Sequence, residues 1–268
     1  MSIQHLLDVY VVLFGLVVGS YLNVVIFRLP RQISTVLPRS RCPRCRAAIR
    51  PWDNLPLLSY LVLRGRCRHC GARISWRYPL VEVLTAVCFL LSARRFELLA
   101  DSLVAAVFCS AMIVLAMIDL EHYILPDVIT KPGILVGLLL QLWVSWSTPQ
   151  AALIGIALGA GVIAAVSWGW YCLKGVHGMG FGDVKMLAMI GAFLGWQGVV
   201  GTLLLGSLTG SLAGLVLMLR GRAGLGSKLP FGVFLALGAV LTLFFGREML
   251  ETYLELTGMR YLLPGGVP

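Results

Sequence analysis

An all-α, polytopic membrane architecture follows from three features of these 268 residues: 59% are hydrophobic, only 13% are charged, and the apolar residues fall in runs long enough to span a bilayer. The mean hydropathy of +0.89 belongs to a chain solvated by lipid, because a soluble domain of this size needs far more polar surface. A span needs roughly 20 apolar residues. About eight segments are predicted to cross as helices, at 7–27, 80–96, 99–118, 128–147, 150–173, 183–196, 198–219 and 229–246.

The first segment, 7–27, has no Lys or Arg before it and is followed by Arg28 and Arg31. A secretory signal carries its charge the other way round. This is therefore a span with its N-terminus outside and its C-terminal end in the cytoplasm. From that start the connections alternate. Of the 22 Lys and Arg, 18 fall on the inward side, Arg222 and Lys228 among them, while Arg94, Arg95, Arg247 and Arg260 fall outside. That asymmetry supports the orientation, with Arg94-Arg95 a local exception. The net charge of +10 is then mostly topology, with anionic lipid headgroups as counter-ions and no nucleic acid required.

The apolar run 184–219 divides at Gly195-Trp196-Gln197-Gly198, since one straight helix of that length overshoots the hydrocarbon. No internal repeat is apparent. The chain reads as a first transmembrane helix, 1–27, an Arg-rich polar loop, 28–79, and a membrane-embedded core, 80–268.

The loop carries Cys42-Pro-Arg-Cys45, then 21 residues, then Cys67-Arg-His-Cys70. Two such pairs at this separation are the pattern of a four-thiolate zinc site, each pair forming a tight turn that presents two sulfurs. A cytoplasmic loop keeps its thiols reduced, and Arg41, Arg44, Arg46, Arg66 and Arg68 would offset the negative charge. The alternatives are two redox pairs or no metal, and His69 is a further potential ligand. A closed four-Cys site has no open position, which makes it structural. Cys88, Cys109 and Cys172 lie in spans and read as small packing residues.

Three aspartates sit at helix ends predicted to face the cytoplasm: Asp119, Asp127 and Asp183. Ionisable groups near the hydrocarbon are costly and are functional candidates by default. Asp183 closes Gly180-Phe181-Gly182-Asp183, where the glycines permit unusual backbone and close approach, and it opens a helix whose dipole favours a carboxylate. A simple N-cap is the alternative. Asp119 ends the third segment and, by parity of the spans, faces the same side as Asp183. Two adjacent carboxylates share a proton, so one activates water as a base while the other acts as an acid. Asp127 reads as a cap of the fourth segment and Lys185 as a headgroup contact.

The chain resembles the bacterial type IV prepilin peptidases, also called leader peptidase/N-methyltransferases, nearly from end to end. The resemblance is carried by Gly19-Ser20-Tyr21-Leu22-Asn23-Val24, Arg28-Leu29-Pro30, the four cysteines and the run Asp53 to Leu61. It continues through Arg77-Tyr78-Pro79-Leu80-Val81-Glu82, Ile118-Asp119 through Leu125-Pro126-Asp127, Gly180-Phe181-Gly182-Asp183-Val184-Lys185 and Pro230-Phe231-Gly232.

It implies prepilin or pseudopilin substrates, removal of a short basic leader after a glycine, and catalysis by Asp119 and Asp183. Gly180, Gly182, Lys185 and Asp127 would support the catalytic loop, and zinc would bind Cys42, Cys45, Cys67 and Cys70. It also implies methylation of the new N-terminal amine with S-adenosylmethionine, for which the loop, including Gly65, is the place. Tyr21 stands where Phe is common, and Val233 where a second Pro is usual. The rival readings are a cation transporter, which would place its acids near mid-membrane, and a zinc-regulated scaffold. Oligomeric state is not legible.

Overall fold

In the computed structural model, which describes residues 3–37, 39–175, 180–221 and 229–257, each predicted span contains a helix. Arg222, Lys228 and Arg260 lie outside the described residues. The order is α1 (Ile3–Arg28), a short α2 (Leu58–Val62), α3 (Arg77–Arg95), α4 (Leu99–His122), α5 (Asp127–Leu140), α6 (Pro149–Lys174), α7 (Phe181–Leu219) and α8 (Phe231–Leu256). The described residues contain no strand, only two isolated bridges in the loop.

Five helices, α1, α4, α6, α7 and α8, are long and apolar enough to cross a membrane. The eight predicted segments arise because α7 divides into two, and α3 and α5 are added. α3 dilutes its apolar run with Arg77, Glu82, Arg94 and Arg95. α5 has 14 residues, about 21 Å of helix at ~1.5 Å per residue. Residues 141–147, predicted to continue that span, leave the helix instead.

The chain forms two compact units, Met1–Ile129 and Thr130–Pro268. In the first, α1 and α3 pack through glycines. A Cβ on Gly15 would come within 2.7 Å of Ala86 Cα, and one on Gly19 within 2.7 Å of Glu82 Cα. One turn beyond Gly19, the buried Asn23 donates to the carbonyls of Gly19 (3.2 Å) and Tyr78 (3.1 Å). α4 supplies the core, with Phe108, Met112, Leu115 and Ile118 fully buried. Arg94, half of the charge exception, pairs with Asp8 at 2.7 Å.

In the second unit, α7 packs between α6 and α8, and its first half, Met186 to Gly195, is entirely buried. Gly155 and Gly191 let α6 and α7 approach so closely that a Cβ on either would clash with the other's backbone. α6 starts at Thr148, whose hydroxyl accepts from Ala151 N–H at 3.2 Å, followed by Pro149.

The predicted division of α7 is a real break. Gly195 has φ +71° and ψ −175°, a conformation in effect reserved for glycine. The carbonyls it releases are capped from the segment after α5. Gln141 Nε2 donates to Ala192 O and Phe193 O, both at 2.8 Å, and Trp146 Nε1 to Phe193 O at 3.0 Å.

Candidate functional site

The two C-x-x-C segments build the same turn twice. Cys42 N–H donates to Ala47 O and Arg46 N–H returns to Cys42 O, both at 2.9 Å; Cys67 to Ala72 (2.8 Å) and Gly71 to Cys67 (2.9 Å) repeat the pattern 25 positions later. Arg46 and Gly71, with φ +59° and +66°, occupy the same left-handed place in each. The bridges Arg41 to Ala48 and Arg66 to Arg73 complete the match. A short repeat, Arg41–Ile49 against Arg66–Ile74, is therefore present where none was expected. It is visible in the letters RCPRCRAAI and RCRHCGARI.

The four sulfurs lie within 4.8 Å of one another, with Cys42 Sγ 3.9 Å from Cys70 Sγ. A tetrahedron of metal–sulfur bonds of about 2.3 Å has edges of about 3.8 Å, a size that this sulfur spacing fits. The N–H of Cys45 pulls the Cys42 thiol down to about 6, against desolvation and with help from Arg44 N–H. The N–H of Ala47 acts downward on Cys45 too, but desolvation and the neighbouring thiols outweigh it and hold Cys45 up at about 11.

Arg68 forks onto Asp53, Nε at 3.0 Å from each oxygen and Nη2 at 2.6 Å from one. That guanidinium holds the Asp53 carboxyl below its ordinary value. The segment after Asp53 reaches the membrane body: Leu57, itself at φ +56°, donates its N–H to Glu82 at 2.8 Å. Gly65, at φ +64°, has Tyr60 stacked against it, and a Cβ would sit 3.0 Å from the ring.

Together the loop and the ends of α1, α3 and α4 enclose a cavity of about 1080 Å3. Asn23, Tyr60, Glu82 and Glu121 are among its walls, and eight arginines line it. Three carboxylates line it as well. Asp53 is paired with Arg68 and Glu121 with Arg77. Glu82, 7% exposed, has the Leu57 N–H and the Ser20 hydroxyl.

Asp119 ends α4 two residues before Glu121 and is 6% exposed. Tyr123, in the left-handed conformation, closes the helix by donating to Asp119 O at 2.9 Å. Asp127 stands in the first turn of α5. Asp183 stands in the first turn of α7, half-buried, with its N–H on Gly180 O at 3.1 Å. Gly180 has φ −75°, and a Cβ there would meet nothing closer than 3.7 Å, so the freedom expected of this glycine is not used here. Lys185 is half-buried one turn into α7. Asp119 belongs to the first unit and Asp183 to the second.

Sequence reasoning gave no role of their own to several buried polar groups, among them Asn23, Glu82, Asp101 and Gln141. The signal was available: each is a lone strongly polar residue in, or at the edge of, an apolar run.

Residues 13–96 match the bacterial peptidase A24 N-terminal domain and residues 106–215 the type IV leader peptidase family. A prepilin leader peptidase/N-methyltransferase of Burkholderia pseudomallei (strain 1026b) is 37% identical, over 96% of this chain and 88% of its own. Proteins of the same description from Pseudomonas aeruginosa and Aeromonas salmonicida (strain A449) are 36% and 38% identical, over 93% and 91% of this chain and 94% and 93% of theirs. No solved structure matches. With both halves matched in order and relatives aligned over nearly its whole length, the chain belongs to the type IV leader peptidase family.

Proposed function

We propose that the chain cleaves the short basic leader from type IV prepilins or pseudopilins, using Asp119 and Asp183, and then methylates the new N-terminus. The observation that carries this reading is that both aspartates lie within the segment matched to the type IV leader peptidase family, residues 106–215, each at the end of a long apolar helix. In the proposed mechanism the two carboxylates share one proton. The ionised one removes a proton from water as the oxygen attacks the scissile carbonyl, and the protonated one donates to the carbonyl oxygen. Asp183, at a helix N-terminus, is the better candidate for the ionised partner, although the pair titrates as a unit. Gly180, Gly182, Lys185 and Asp127 support the turns that present the pair.

The active site and the loop 28–79 are assigned to the cytoplasmic face of the inner membrane, with residues 80–268 as the peptidase core; the charge asymmetry supports this. The pilin's apolar helix would enter from the lipid. Zinc is the metal assigned to Cys42, Cys45, Cys67 and Cys70, whose sulfur spacing fits a closed tetrahedral site that supplies folding energy and no open coordination position. S-adenosylmethionine would supply the methyl group, and the loop side of the first unit is its proposed place. Gly65 contributes there by letting Tyr60, a cavity wall, lie flat against the chain.

The test is cleavage of a prepilin in detergent or liposomes, with the product's N-terminus read by mass spectrometry. Asp119→Asn and Asp183→Asn are each expected to abolish cleavage while zinc content persists. A fully active Asp183→Asn enzyme overturns the peptidase mechanism.

A further inference from the structure

Among the walls of the first unit's cavity are a buried amide oxygen without a donor and a buried carboxylate with neutral donors only. Asn23, 2% exposed, spends both N–H groups on the Gly19 and Tyr78 carbonyls, which fixes the amide's orientation and leaves Oδ1 without a partner. Gly19 lies against Glu82, and Tyr78 is one turn before Glu82 on α3, so the Asn23 oxygen and the Glu82 carboxylate come from facing turns of α1 and α3. Of the three carboxylates lining the cavity, Glu82 alone has no guanidinium partner among the described residues. A buried acceptor without a donor carries the full cost of its lost hydration, and a buried charge more. Glu82 is met by two neutral donors and no cation, and the Asn23 oxygen from the facing turn has no donor, so the pair marks a place for a cationic donor.

The rim narrows what that donor is. With eight arginines lining the cavity, a ligand carrying positive charge alone is repelled. A ligand with an ammonium group next to a carboxylate is complementary at both ends. An α-amino acid head is such a group.

We propose that Glu82 and the Asn23 oxygen bind the α-ammonium of an α-amino acid head, that of the methionine end of S-adenosylmethionine, with its α-carboxylate toward the arginine rim. This rests on the methyltransferase reading and gives the methyl donor's amino-acid end an address on this chain. Glu82 also holds the loop through Leu57 N–H. Glutamine at this position keeps an acceptor for that N–H while removing the charge.

The experiment is equilibrium binding to the full-length protein in detergent, by calorimetry. S-adenosylhomocysteine is compared with 5′-methylthioadenosine, which lacks the amino-acid head, and with a phenylalanine-leading peptide carrying a free amine. Wild type is expected to bind S-adenosylhomocysteine at least tenfold tighter than 5′-methylthioadenosine. Glu82→Gln is expected to remove most of that preference, with zinc content and elution volume as controls for folding. Equal binding of the two nucleosides by wild type overturns the proposal without any variant. A preference retained in Glu82→Gln also overturns it, as does a loss confined to the peptide, which would assign the acceptors to the pilin's amine. Wild type that methylates a pilin yet shows no head-group preference sinks only this inference. Wild type that neither methylates nor binds S-adenosylhomocysteine sinks the methyltransferase reading with it.

Discussion

At Asp53 the loop's order depends on one forked contact. Arg68, inside the second C-x-x-C turn, reaches back to the 3-10 turn at Pro51–Asn54 with two nitrogens. Two residues held in one geometry by three short bonds form a stiffer link than an ordinary surface pair. Asp53→Ala is expected to free the 51–57 segment, raising its rate of limited proteolysis several-fold while the four-sulfur cluster still takes up metal. Equal protection in the variant would show that the fork is incidental. The carboxyl of Asp53 is lower in the folded chain than its ordinary value of about 3.9. Its contribution is therefore fully present above that value and is lost as pH falls through the folded one. The fork should thus persist through the neutral range and fail only in strong acid. Gly65 makes a second residue-scale case: at φ +64° with Tyr60 3.0 Å away from a built Cβ, Gly65→Ala strains the backbone and displaces a cavity wall. Methyl transfer should fall while leader cleavage is retained; unchanged methylation rejects the role assigned to Gly65.

At the scale of the element, α7 shows how a membrane helix is broken. Gly195 interrupts the hydrogen-bond ladder, and within the membrane each carbonyl released needs another donor. Gln141 and Trp146 supply three donations to two carbonyls. Gly195→Ala forces a side chain into a conformation that costs about 1–3 kcal/mol and meets Ser147 Oγ at 2.8 Å. Gln141→Leu leaves the Ala192 carbonyl bare and removes one of two donors from Phe193, for a cost of about 1–3 kcal/mol. Both are expected to lower the thermal midpoint in detergent, and a midpoint unchanged in Gln141→Leu would show that the cap contributes nothing. The break itself was legible, because two glycines flank Trp196-Gln197 inside an apolar run too long for one crossing. The end of α5 was not: the apolar residues Leu142, Trp143, Val144 and Trp146 extend the run past Leu140, yet the chain turns there, with Gln141 and Trp146 finding partners 47 to 52 positions away.

For the whole molecule, the proposed metal does its work at one end of a short relay. The sulfur cluster positions Arg68, Arg68 holds Asp53, and the turn that follows delivers Leu57 N–H to Glu82. Stripping zinc with a strong chelator, or replacing Cys42 and Cys67 by serine, is expected to lower the thermal midpoint and to impair methyl transfer more than cleavage. Loss of both activities in equal measure would place the loop in the service of the peptidase as well. One metal ion per chain is expected by elemental analysis of the wild type. The apolar helices, the paired cysteines and the motifs bearing Asp119 and Asp183 were legible in the sequence alone. Each is a local property, a run of apolar residues or a spacing of a few positions, and needs no partner to be recognised. Tertiary structure decided which carboxylates are neutralised and which is not, where the carbonyls released in α7 find donors, and what the loop encloses. Those outcomes depend on contacts between residues 15 to 52 positions apart, and no local pattern carries the information that Asp53 meets Arg68, that Glu121 meets Arg77, or that Glu82 meets neither.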